Sequence, residues 1–424
     1  MIQNWNLQSG ARLVVEEIPH VKSAAIGLFI GLGSRHEEPH LAGASHFIEH
    51  MLFKGTETRP AREIAESFES IGGQLNAFTS REYTCLYART LDEDIFSGMD
   101  IIFDMLFHSQ FAPRDFAVEK DVIAEEINMY EDAPDELIHD VFLNQLWQGH
   151  SMGRPILGTL DSVANFDRDQ VFDFYQRCYM PSNMVIAVAG NVDRERVRER
   201  VEEYLALHKC QKVELPGIQP SPYKPFIQMV DKDTEQVQIC LGAGGMSYHD
   251  EARFTLNVMN SILGGGISSR LFQSIREELG LAYSVYSAPS NYSDTGSFSI
   301  FVGTGPTKVA RFFEELNKEV QRFTSQGVSD EEVLRTQHLI KSSMYLGLEN
   351  VINRMNRLGK SLLMYGQVVD VEEVISRIFA VNRDMVGDLA NKTLAGQELS
   401  LAAIGSAGVL PGVEQEFRRW WRTA

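Results

Sequence analysis

Residues 33–56 read GSRHEEPHLAGASHFIEHMLFKGT, and the centre of that stretch, His46-Phe47-Ile48-Glu49-His50, governs how the rest of the chain is read. Apolar residues recur at helical spacing over 43–53, so a helix is expected there. Positions i and i+4 lie one turn apart on one helical face. His46 and His50 then present two imidazoles to a single point, as a tetrahedral zinc site requires. Glu49 precedes the second histidine and can reach a water on that zinc, taking its proton during attack on a peptide carbonyl. Zinc lowers the pKa of such a water to roughly 7 and polarises the carbonyl. The order H-x-x-E-H is the inverse of the commoner H-E-x-x-H metallopeptidase order. A surface pair of histidines is the alternative reading. Against it, Phe47, Ile48, Met51, Leu52 and Phe53 surround the pair, and polar groups set among apolar side chains need partners.

A catalytic zinc takes a third protein ligand and keeps one position open. The helix expected over 116–129 offers Glu119 and Glu126, seven positions apart on one face, with Val122 and Ile123 between them on the same stripe. Glu125 is turned away by about a hundred degrees and reads as solvent-facing. Spacing makes either Glu119 or Glu126 the ligand and the other an orienting carboxylate; it does not choose between them.

Around this segment the composition is that of a soluble globular chain of 424 residues, 44% hydrophobic and 23% charged, which is too long for one ordinary core. A net charge of −19 argues against nucleic acid as a partner. No apolar run is long enough to span a bilayer, and the first residues do not read as a signal peptide. Cys85, Cys178, Cys210 and Cys240 show no paired spacing, which points to a reducing compartment, the cytoplasm.

The first half reads as strands over 11–17 and 23–31, helices over 43–53 and 62–71, and a strand pair over 74–80 and 83–89. Helices follow at 93–107 and from about 114, then a strand at 184–190 and a helix at 194–207. Residues 211–225 (QKVELPGIQPSPYKP) read as a linker. Beyond it the order begins again. Strands are expected at 226–231 and 236–244, helices at 252–263 and 269–278, strands at 282–287 and 297–302, a long helix at 307–323, and a strand at 399–404. This predicts an α+β fold of two homologous mixed domains made by internal duplication. The first, 1–212, carries the metal. A Pro-rich linker spans 213–225, and a metal-free second domain, 226–424, closes the substrate chamber. Leu256, Met259 and Asn260 stand where His46, Glu49 and His50 stand in the first copy, so one zinc per chain is expected.

Residues 33–56 closely resemble the signature of the pitrilysin–insulysin metallopeptidases, in particular the branch holding the mitochondrial processing peptidase β subunit and its bacterial relatives. The resemblance runs the length of the chain and includes Leu75-Asn76-Ala77-Phe78-Thr79-Ser80-Arg81-Glu82, Val122-Ile123-Ala124-Glu125-Glu126 and Gly264-Gly265-Gly266-Ile267-Ser268-Ser269-Arg270-Leu271. It implies His46, His50 and Glu126 as zinc ligands, Glu49 as general base and Glu119 as supporting carboxylate. It also implies that Arg276 and Tyr283 donate to the oxyanion of the tetrahedral intermediate. The strand holding Asn76, Ala77, Phe78 and Thr79 is implied to bind substrate by main-chain pairing at a sheet edge. The expected activity is zinc endopeptidase action on short or unfolded peptides inside a chamber, by a homodimer. The competing expectation, a non-catalytic structural or assembly subunit, is disfavoured because such relatives usually lose the ligands that this chain keeps.

Overall fold

The computed structural model describes residues 1–206, 213, 215, 223–395 and 399–421. Most of the linker read at 213–225, and Cys210, lie outside them. The strands are β1 (Ile2–Asn6), β2 (Arg12–Glu17), β3 (Ser23–Ile30), β4 (Gln74–Thr79), β5 (Thr84–Leu91), β6 (Met184–Gly190), β7 (Ile227–Asp231), β8 (Val237–Gly244), β9 (Ala282–Asn291), β10 (Gly296–Thr304) and β11 (Ser400–Gly405). The helices of the first half are α1 (Ala44–Leu52), α2 (Ala61–Ser70), α3 (Ile95–His108), α4 (Pro113–Glu131), α5 (Pro134–Leu146), α6 (Leu160–Ala164), α7 (Arg168–Cys178) and α8 (Arg194–Leu205). Those of the second are α9 (Arg253–Leu263), α10 (Val309–Gln326), α11 (Asp330–Gly347), α12 (Val351–Tyr365), α13 (Val371–Phe379), α14 (Arg383–Ala390) and α15 (Leu410–Trp420). A π-helical segment, Phe272–Glu278, occupies most of the stretch expected as an ordinary helix over 269–278.

The sheets carry the duplication. One runs β1-β2-β6-β3-β5-β4 and the other β7-β11-β8-β10-β9. Without the extra edge strand β1, the two orders are the same once strands are matched by place in the chain. The directions match as well. β2 pairs parallel with β6 as β7 does with β11, and the remaining neighbours are antiparallel in both. The fold is α+β with two related domains, as the element order predicts.

The compact units do not follow the chain in two simple halves. One comprises Met1–Asn128, Arg154–Ile218 and Met344–Val369; the other comprises Met129–Gly153, Gln219–Ser343 and Asp370–Ala424. The reason lies in the strands. Side chains alternate across a strand, and β6, MVIAVAG, is buried throughout. Its Met184, Ile186 and Val188 join the core beneath α1 and α3, while Val185, Ala187 and Ala189 face the other way. A strand apolar on both faces needs a cover on both. In the first unit the second cover is α12, whose Val351, Met355, Leu358 and Leu362 pack on Val14, Ala25, Phe29 and the outward residues of β6. In the second unit it is α5, whose Ile138, Phe142 and Leu146 pack on Cys240, Phe301, Ala402 and Ile404. Each repeat thus lends one helix to the sheet of the other, which sequence periodicity alone left unseen.

The fit beneath α12 is close. A Cβ added at Gly359 would lie 2.1 Å from Cε2 of Phe29, a ring that is itself fully buried. Gly359→Ala therefore has nowhere to put its methyl without moving Phe29 or the helix. The expected outcome is a loss of about 1–3 kcal/mol, read as a lowered midpoint in thermal or denaturant unfolding.

Candidate metal centre

Helix α1 is nine residues long, too short to be stable alone, and is held by burial. Phe47, Ile48, Met51 and Leu52 are fully buried. The Phe47 ring lies 4.6 Å from that of Phe116 at the start of α4 and meets Phe166 edge-on. From Phe116 the inner face of α4 continues through Glu119, Ile123 and Ile127, all buried. The packing that seats α1 thus aligns α4 beside it.

This alignment brings His46, His50 and Glu126 together, with one candidate ligand atom from each within 4.8 Å of the others. His46 Nε2 lies 3.8 Å from Glu126 Oε1, and His50 Nε2 lies 3.6 Å from Glu126 Oε2. Two donors at zinc bond lengths of about 2.0–2.1 Å and a tetrahedral angle sit about 3.3 Å apart. The two imidazole–carboxylate separations exceed that spacing by a few tenths of an ångström. No other such group of His, Cys, Asp or Glu occurs among the described residues.

The surroundings act differently on the two imidazoles. Burial pushes the His46 imidazole down to about 3, assisted by His50, so it is neutral with a lone pair available. Its Nδ1 is buried without a hydrogen-bond partner. Burial also works against a charged His50, but Glu119, together with Glu126 and Glu49, outweighs it and raises the pKa. His50 Nδ1 lies 2.8 Å from Glu119 Oε1. With Nδ1–H donated to that carboxylate, Nε2 is left as the acceptor facing Glu126. Burial pushes Glu119 upward, yet hydrogen bonds from His50 and Lys54 hold it below its ordinary value. Lys54 Nζ stands 2.5 Å from Glu119 Oε2.

The two glutamates between which spacing did not choose are placed differently. Glu119 is buried behind His50, while the Glu126 side chain is 43% exposed and faces both imidazole Nε2 atoms. Glu125 lies on the exposed side as expected, but Val122 is also exposed, so only Ile123 joins the buried stripe.

Glu49 accepts a 2.5 Å hydrogen bond from the Thr79 hydroxyl. Burial raises its pKa against the pull of that bond and of His50, which makes it a stronger base than a solvated glutamate. Thr79 ends β4, the terminal strand of its sheet, which also bears Asn76, Ala77 and Phe78. The link from Thr79 to Glu49 and the Lys54–Glu119 ion pair were not foreseen. Lys54 follows His50 by four positions, and that spacing was the available signal.

In the second unit, Arg276 and Tyr283 are neighbours. The Arg276 guanidinium lies 4.8 Å from the centre of the Tyr283 ring and 4.7 Å from that of Phe272. Tyr283 is 76% exposed. The residues of the second copy that correspond to His46, Glu49 and His50 are spent on packing and a local link: Leu256 and Met259 are buried in the core, and Asn260 Oδ1 accepts a hydrogen bond from Ser287.

Residues 12–160 match insulinase (peptidase family M16), and residues 165–340 match the peptidase M16 inactive domain. The chain is 42% identical to an uncharacterized zinc protease of Bacillus subtilis, YmxG, over 97% of its own length and 100% of that protein's. It belongs to peptidase family M16. An uncharacterized zinc protease of Streptomyces coelicolor is 39% identical over 95% of this chain and 89% of its own. The fold matches a solved protease from Helicobacter pylori, with a TM-score of 0.90 at 18% identity, 96% of this chain and 99% of that one being covered. It also matches a solved peptidase M16 inactive domain from Pseudomonas fluorescens, with a TM-score of 0.88 at 19% identity over 96% and 98%.

Glu119→Gln keeps the shape of the acceptor behind His50 but removes its charge. Affinity for a divalent metal is expected to fall about 10- to 100-fold, measured by competition with a chromogenic chelator on the folded protein.

Proposed function

We propose that the chain is a zinc-dependent endopeptidase acting on short or unfolded peptides, with His46, His50 and Glu126 as the ligands. The observation that carries this reading is the convergence of three donor atoms within 4.8 Å beside a buried glutamate. His46, His50 and Glu126 would hold the zinc, which would supply Lewis-acid chemistry, polarising a peptide carbonyl and making a bound water acidic near neutral pH. Glu49, fixed by the Thr79 hydroxyl, takes the proton of the attacking water and returns it to the leaving amine. Glu119 holds the tautomer of His50 and, through it, the direction of the Nε2 lone pair.

Arg276 and Tyr283 are assigned to the oxyanion that develops on the carbonyl. In support, the phenol is exposed rather than packed, and the guanidinium stacks against it. Strand β4 is assigned to substrate by main-chain pairing, since it ends its sheet and Thr79 ties it to Glu49. One zinc per chain fits the burial of Leu256 and Met259 in the second copy. A homodimer enclosing a chamber and a cytoplasmic location complete the reading; the relevant observation on membranes is that no described helix is long and apolar enough to cross one. Nothing observed favours a purely structural subunit.

Two substitutions test the assignment. Glu49→Gln is expected to leave zinc content at the wild-type level while peptide cleavage falls by about three orders of magnitude or more, measured by metal analysis beside a quenched-fluorescence peptide assay. Undiminished cleavage would remove Glu49 as the base. Tyr283→Phe is expected to lower kcat roughly 10- to 100-fold with zinc binding intact; equal turnover would leave the tyrosine without a role in the chemistry.

A further inference from the structure

Glu37 lies outside every role assigned above. It is 2% exposed, in the bend between the first strands and the metal helix. Its carboxylate faces the open end of α1: Gly43 N–H donates to Oε2 and Ser45 N–H to Oε1, both at 2.7 Å. The first amides of a helix have no partner within it. Here Gly43, at the cap position, has no side chain to serve them, so a carboxylate six residues earlier does so. Negative charge at this end also opposes the helix dipole favourably.

The same end of α1 is fixed from other directions. Gly43 adopts φ 96°, and a Cβ there would meet the Leu157 carbonyl oxygen at 2.7 Å and Gly158 Cα at 2.8 Å. Arg154 Nη1 donates to the Glu37 carbonyl oxygen at 2.9 Å. Just upstream, Ser34 N–H and Arg35 N–H donate to the carbonyls of Ser80 and Arg81, in the turn directly after Thr79. The segment 34–37 therefore joins the start of α1 to the end of the strand whose Thr79 holds Glu49.

We infer that Glu37 is a positioning residue, setting the rotation and height of α1 so that His46 and His50 meet Glu126. His46 is the residue after Ser45, whose amide Glu37 holds, and His50 is one turn further on. A short helix turned about its own axis displaces both imidazoles together, and α1, with nine residues, has little intrinsic stability with which to resist. Burial pushes the Glu37 carboxyl up to about 7, while the amides of Ser45 and Gly43 draw it down. Both amides call for acceptors, a demand that glutamine meets only in part because one of its two ends is a donor.

The inference rests on the metal reading above, and its test separates the two. Zinc affinity is measured by chelator competition on the full chain for wild type, Glu37→Gln, Glu37→Ala and Val201→Ala. Val201 is a fully buried residue of α8, whose truncation lowers stability away from α1. The expected result is a weakening of about tenfold in Glu37→Gln, more in Glu37→Ala, and wild-type affinity in Val201→Ala despite a lowered unfolding midpoint. Glu37→Gln serves as the milder variant where Glu37→Ala does not fold. Glu37 variants that bind zinc as tightly as wild type, or a Val201→Ala chain that weakens equally, would overturn the positioning role while leaving the metal site in place. A wild-type chain that binds no zinc would overturn the metal reading and this inference with it.

Discussion

The site depends on one constraint: a helix of nine residues must be held at a fixed rotation beside α4. Its own hydrogen bonds cannot do this, since so short a helix is marginal in water. Burial supplies the energy, through Phe47, Ile48, Met51 and Leu52. Burial alone is non-directional. Direction comes from the aromatic contact of Phe47 with Phe116 and from the hydrogen bond of His50 to Glu119, which join the same two helices one turn apart on each. Both tolerate little sliding. Because Glu126 lies on α4 two turns beyond Glu119, fixing Glu119 against His50 also fixes where Glu126 stands.

Buried charge makes this arrangement costly unless it is paired. Glu119 is 2% exposed and would be expelled or protonated if left alone. Lys54 on one oxygen and His50 on the other keep it ionised. The carboxylate in turn stabilises the proton on His50 Nδ1, so a single buried group decides which imidazole nitrogen faces outward. His46 has no such partner, and its environment simply keeps it neutral. The two imidazoles are set by different means, one by desolvation and one by a hydrogen-bonded relay through Glu119 to Lys54.

What could be read in the sequence follows from range. The helical pair His46 and His50, the two carboxylates of α4 and the repeat of element order are local patterns, and periodicity reveals local patterns. The identical sheet orders extend that reading to topology. Contacts that arise only with the fold were illegible: Thr79 on Glu49 and Lys54 on Glu119 join segments far apart in the chain, and Glu37 reaches the start of α1 only through the bend between them. The exchange of α5 and α12 belongs to the same class. It left a trace, since β6 is apolar at every position and so asks for cover on both faces, but the strand does not say which helix will provide it. Val122 shows the converse error, an apolar residue read into a buried stripe that the helix turns toward solvent.

The second copy shows why a shared fold need not share chemistry. Its α9 leaves β8 as α1 leaves β3, and it faces the same demand for burial. There Leu256 and Met259 meet that demand directly, while Asn260, at the place of His50, accepts a hydrogen bond from Ser287 on β9. Apolar side chains at these positions need neither a cation nor a paired carboxylate and lysine behind them. In the first copy His46, Glu49 and His50 displace apolar volume from the same kind of helix, and each polar group must then be satisfied by a neighbour. The lysine beside Glu119 answers that demand, while the carboxylate at the start of α1 serves backbone amides that any helix leaves open, as Asp250 does for Ala252 at the start of α9.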